Sequence, residues 1–111
     1  MKFACLVYGE EKLMATVSDA ECMANGLLLK SAGQYLGGEA LKPVREAVTV
    51  RVRNGAMSVI DGPFAETKEQ LAGFYLIDAI DLDEAVQIAS RIPPARIGSI
   101  EVRPVRELQA T

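Results

Sequence analysis

The sequence has no histidine, no tryptophan and only two cysteines in 111 residues. Without His it lacks the commonest general base, the commonest metal ligand and the side chain that titrates near neutral pH. A Ser-His-Asp triad and a His-containing zinc site are therefore excluded. Cys5 and Cys22 have neither metal-ligand spacing nor the density of a disulfide framework, so two reduced, largely buried thiols are expected. Gly37-Gly38 is not followed by the Lys-Ser/Thr pair of a phosphate-cradling loop and reads instead as a place of close backbone packing. No metal or organic cofactor is implied.

Excess positive charge is missing too. Twelve Lys and Arg stand against 15 Asp and Glu, for a net charge of -3 and an isoelectric point near 4.9. That balance argues against direct nucleic-acid binding, which needs clustered cations. Arg91, Arg96, Arg103 and Arg106 form a basic cluster, but Glu101 and Glu107 dilute it into a mixed-charge, solvated face. Long hydrophobic runs are absent: the apolar stretch from Phe3 to Tyr8 is shorter than a signal-peptide core and far shorter than a membrane span. A cytoplasmic protein that engages no membrane is the expectation. Only 5% of residues are aromatic and half are apolar, so the core must be built from Ala, Val, Leu and Ile, with Met as filler.

What is present has the size of one domain, residues 1 to 111. KFACLVY, residues 2 to 8, is apolar on both alternating faces and predicts a central strand covered on two sides. Ser18 and Glu21 have the spacing of a capping box, and Ala20, Met23, Ala24, Leu27 and Leu28 recur at helical intervals behind them. A helix is predicted from Asp19 to Ala32, stopped by Gly33. Residues 34 to 41 predict a short strand, and a turn follows around Pro43.

Asn54-Gly55 separates two β-patterned runs between residues 47 and 61 and supplies the positive φ angles of a type I′ hairpin. With that turn Val52 faces Met57 and Val50 faces Val59, on a face expected to be buried; Arg51 and Ser58 fall on the wet face. Residues 71 to 79 predict a second strand apolar on both faces. Asp81 and Glu84 repeat the capping spacing ahead of a helix whose inner face reads Leu82, Ala85, Val86 and Ala89, and Pro93-Pro94 stops it. Residues 98 to 105 predict the last strand, with Ile100 and Val102 inward.

The order is an α+β, ferredoxin-like βαββαβ plan with a β-hairpin inserted in its middle. Two short helices cover one side of such a sheet, so the second side needs another cover. A second copy of the chain, joined by two-fold symmetry, is the expected one; the inserted hairpin folding back over the sheet is the competing one.

The stretch DGPFAETKEQLAGFYLIDA at residues 61 to 79, the DLDEA helix opening at 81 to 85, EVRPV at 101 to 105 and the VRVRNG segment at 50 to 55 closely resemble the DGPF family of YCII-related proteins. The resemblance implies a homodimer of the dimeric α+β-barrel type, with residues around the DGPF turn lining a cleft. It also implies an association with sigma factors of the extracytoplasmic-function group, beside which family members are often encoded. Some relatives in the wider group use a His-Asp pair for dehydrochlorination of chlorinated hydroxyquinols. This sequence has no His, so that chemistry is not carried over.

Asp61-Gly62-Pro63-Phe64 joins a carboxylate, a residue free to take positive φ, a residue of fixed φ and an aromatic ring. On a structural reading Asp61 accepts hydrogen bonds from the turn, Phe64 plugs the core, and Thr67 with Gln70 caps a short helical turn. On a functional reading Asp61, Glu66 and Lys68 meet at the rim of a cleft, where a carboxylate acts as base and Lys68 stabilises the resulting anion. Glu69 also allows Lys68 to be a plain surface ion pair. Tyr8 and Tyr75, one on each doubly apolar strand, complete the set of candidate ligand contacts. Three functions compete: a dimeric domain binding a small molecule or a partner protein, a cofactor-free acid-base enzyme acting on a small aromatic or carbonyl substrate, and a purely structural dimerisation module, which fits the composition equally well.

Overall fold

Alternation along the first strand sets the layering of the molecule. In β1 (Lys2–Gly9) Phe3, Cys5 and Val7 are buried, while Ala4, Leu6 and Tyr8 on the other face are half-buried. A computed structural model describes residues 1 to 110, and in it β1 lies inside a four-stranded antiparallel sheet of order β2-β5-β1-β6, with β2 at Tyr35–Ala40, β5 at Gln70–Asp78 and β6 at Ser99–Pro104. The chain is thus α+β, with an order compatible with the ferredoxin-like plan. Gly38 is needed where β2 meets β5: a Cβ there would come within 2.7 Å of the Phe74 carbonyl oxygen, so only a bare backbone fits.

The helices pack on the face that carries Phe3, Cys5, Val7 and Ile77. A four-residue helix α1 (Glu11–Met14), not foreseen from the sequence, leads into α2 (Asp19–Ser31), and α3 (Leu82–Ser90) follows β5. Both expected caps form. The Ser18 hydroxyl accepts from the Glu21 amide at 3.2 Å and the Asp81 carboxylate from the Glu84 amide at 2.9 Å, each satisfying a donor at a helix start. Pro93 and Pro94 are buried in a 3-10 turn at Pro93–Arg96.

The faces those helices present differ from the sequence expectation. In α2 the apolar stripe points outward: Met23, Leu27 and Leu28 are 69%, 63% and 71% exposed, and Ala20 and Ala24 are exposed beside them. Leu29 is buried instead, with Cys22, Asn25 and Gly26 half-buried on the same side. In this orientation Arg96 grips Glu21 through both carboxylate oxygens, at 2.5 and 2.8 Å, tying one flank of α2 to the proline turn. In α3, Ala85 and Ala89 are buried as expected, but Ile88 joins them, while Leu82 and Val86 stay exposed.

The inserted hairpin, β3 (Val48–Arg53) and β4 (Ala56–Asp61), forms a sheet of its own. Its turn and register match the sequence: Asn54 and Gly55 have φ of 53° and 75°, and Val50 pairs with Val59, Arg51 with Ser58 and Val52 with Met57. The face expected to be buried is not buried within the chain, where Val50, Val52, Met57 and Val59 are all more than half exposed. The hairpin stands off as an arm and does not cover the sheet. The radius of gyration is therefore 15.8 Å, where about 13 Å is usual for this length. The accessible surface is 7953 Å², where a compact monomer of this mass has roughly 6,000 Å².

Candidate functional site

The turn after β4 is held by backbone and by Thr49. The Gly62 amide donates to the Ala47 carbonyl at 2.7 Å and the Thr49 hydroxyl to the Gly62 carbonyl at 2.9 Å, with Gly62 at φ 105°. The Asp61 side chain is exposed, and the hydrogen bonds that hold the turn do not involve it. Phe64 does not plug the core: it is 76% exposed, and its ring lies 5.5 Å from the Arg51 guanidinium, a cation-π contact. Thr67 and Gln70 cap no helix. The Thr67 hydroxyl donates to the Glu69 carbonyl and the Gln70 side-chain amide to the Thr67 carbonyl, both at 2.6 Å, closing a turn at the start of β5.

A cavity of about 550 Å³ opens beside this turn. Pro63 and Phe64 form one wall, Tyr8 and Leu71 the end toward the sheet, and Pro43 and Val44 the opposite wall. Asp61, Gly62, Glu66 and Lys68 do not line it. Lys68 is pulled away to Glu10, 3.8 Å distant, a largely exposed pair of small energetic worth. The three charged candidates for acid-base work are thus not brought together, whereas Tyr8, Pro63 and Phe64 are.

Residues 43 to 47 were missed from the sequence, although the hairpin register contains the signal. Val48 pairs with Asp61, so the residues just before β3 must lie beside those just after β4. The same register that builds the arm therefore builds the two walls of the cavity.

Tyr75 lies on the opposite, helix-covered face of the sheet. Its ring meets Tyr35 edge to face, with centroids 6.5 Å apart and planes at 72°. Burial pushes its phenol up from the usual value, helped by the nearby Cys22. Cys5, beneath it, is buried and pushed up to about 11, and Cys22, half-buried, is raised by burial and by Asp19 and Glu21; both thiols are free. Among the described residues no group of three or more Cys, Asp or Glu is arranged to hold a metal ion, and no helix is long and apolar enough to cross a membrane.

Fold and site together define a small α+β domain with an antiparallel sheet open on one face, a projecting hairpin and, at the hairpin's base, a mainly apolar cavity whose lining includes the Lys42–Glu46 pair. Comparison with known proteins supplies the family. The YCII-related domain matches residues 1 to 109, and the chain belongs to that family. It is 40% identical over 114 residues to the uncharacterised protein R00369 of Rhizobium meliloti (strain 1021), across 95% of this chain and 92% of the relative.

Proposed function

We propose that the chain acts as a homodimeric binding domain that holds a small molecule in the cavity lined by Tyr8, Pro63 and Phe64. The observation that carries the reading is the state of the sheet. Its uncovered face presents Leu6, Tyr8, Leu71, Phe74 and Leu76, with register pairs Leu6 to Phe74 and Tyr8 to Leu71. A second copy laid on that face by two-fold symmetry offsets part of the excess surface, since a standard interface removes about 800 Å² per partner. Tyr8 and Leu71 belong both to this face and to the cavity, so dimerisation narrows the cavity mouth.

A cofactor-free acid-base enzyme draws no support from Asp61, Glu66 and Lys68, which do not line the cavity beside the turn. A sigma-factor partner rests on the family resemblance alone, and cytoplasmic residence on the two free thiols and the sequence pattern.

Native mass spectrometry of the gently purified protein is the test. A species near twice 12.0 kDa is expected, carrying a discrete adduct. Leu76→Lys should yield the monomer, and Phe64→Ala should keep the dimer but lose the adduct. A wild-type monomer would overturn the dimer, and an adduct that survives in Phe64→Ala would move the ligand elsewhere.

A further inference from the structure

A second cavity, of about 370 Å³, lies between α2 and the strands β2 and β5, on the face of the sheet away from Tyr8. Its size falls in the range of small-molecule sites. Met23 and Leu27 of α2 form one wall, and Ile92 and Pro94 close an end. The floor is unusually bare. Gly38 and Gly73 line it where β2 and β5 approach so closely that a Cβ on either would meet the neighbouring backbone, within 2.7 and 2.8 Å. Gly26 of α2 also lines the cavity, and a Cβ there would meet nothing within 4 Å. Helical geometry does not call for Gly at that position, where Ala is favoured by up to about 1 kcal/mol. Its absent side chain leaves open space.

Inside the cavity the Tyr75 hydroxyl is the donor with a proton to give. The Tyr35 hydroxyl is satisfied by the Gly38 carbonyl at 3.4 Å. The Tyr75 hydroxyl oxygen is approached by the Asn25 amide and its proton finds no acceptor among the described residues, while the Cys22 thiol lies beside it. Behind them the Nδ2 of Asn25 is sealed from solvent, turned toward the Tyr75 oxygen but outside full hydrogen-bond geometry. A buried unsatisfied donor is costly in a native fold and calls for an explanation. The rim carries one charge of each sign, Lys30, which stacks 5.0 Å over the Tyr35 ring, and Glu39. An anion or a cation gains nothing from that pairing, and the apolar walls exclude a strongly hydrated ligand.

We propose that this cavity is a binding site for a neutral aromatic carbonyl compound, whose ring lies between Met23, Leu27 and the glycine floor and whose oxygen accepts a hydrogen bond from Tyr75. The thioether of Met23 and the edges of Tyr35 and Tyr75 suit an aromatic ring. The carbonyl oxygen supplies an acceptor for the Tyr75 proton. This site is separate from the one assigned above, because the sheet divides the two.

The test uses the full chain labelled with 15N and two probes of matched shape, 2-acetylnaphthalene and 2-isopropenylnaphthalene, in which a methylene replaces the carbonyl oxygen. Both should shift amides of residues 22 to 30 and 73 to 75, and the ketone should bind about five- to tenfold more tightly, the worth of one hydrogen bond. Tyr75→Phe should remove that advantage and leave the hydrocarbon's affinity unchanged. Gly26→Leu should fill the cavity and abolish both. Equal affinity of the two probes, shifts confined to residues 63 to 71, or no shift at all would overturn the proposal, and shifts at 63 to 71 would favour the other cavity. A Gly26→Leu chain that changes its subunit number would mark the groove as a contact between copies and also overturn it. Tyr75→Phe decides the question even if Gly26→Leu does not fold.

Discussion

Arg96 and Glu21 lie 75 residues apart in sequence and form a two-oxygen ion pair that joins the proline turn to the first turn of α2. Both side chains are largely solvated, so the pair adds modestly to stability. Its effect is directional. It ties one flank of α2 to the proline turn, in the orientation in which Met23 and Leu27 wall a cavity instead of filling the core.

The Glu21 carboxyl should titrate below the usual carboxylate range, because the Arg96 hydrogen bond, and then its charge, favour the ionised form over the opposing effect of burial. A carboxyl held low in the native state contributes stability that is complete above its unfolded value, and that contribution is lost as pH falls through the lowered native value. Arg96→Met should therefore return the Glu21 titration to higher pH and remove this part of the acid sensitivity. Carbon-13 carboxyl NMR reads the first and acid unfolding the second; an unmoved Glu21 titration would show that the pair does not form in solution.

Adjacent leucines on α2 should respond oppositely to truncation. Leu29 is 5% exposed and Leu28 71% exposed. Leu29→Ala should cost roughly 2–4 kcal/mol, as large-to-small changes in a core do. Leu28→Ala should stay within about 0.5 kcal/mol, as for surface sites. Urea unfolding of the two variants distinguishes this orientation from the reverse, in which the costs would exchange.

The hairpin should behave as a separate unit. Gly55 has φ of 75° and free space around its Cβ position, so Gly55→Ala introduces backbone strain with no clash, worth about 1–2 kcal/mol. Hydrogen exchange should quicken across residues 48 to 61 and stay unchanged in β1 and β5. Faster exchange in the central strands would show that the arm is part of the core's cooperative unit.

The legible parts of the fold were those whose causes are local. The strand at residues 2 to 8, the Ser18 and Asp81 caps and the pairing of Val50 with Val59 each follow from chain neighbours within a few positions: a side-chain oxygen near an amide, a Gly that permits positive φ, an alternation of period two. The candidate site was legible in part, since Tyr8, Pro63 and Phe64 do meet. Asp61, Glu66 and Lys68 do not, because spacing along a loop does not dictate direction and Glu10, from the end of β1, draws Lys68 away.

By itself, then, the sequence determined the six strands and the two longer helices, though not α1, and how the hairpin is registered. Only the tertiary structure decided which stripe of α2 is buried, that the apolar hairpin face stays open, and that Tyr8 and Tyr75 lie on opposite sides of the sheet at different cavities. The physical reason is that α2 and the hairpin each carry more apolar surface than one chain can bury. The choice among equivalent apolar faces then falls to packing made across the fold, such as Leu29 against the sheet core, which no local pattern encodes.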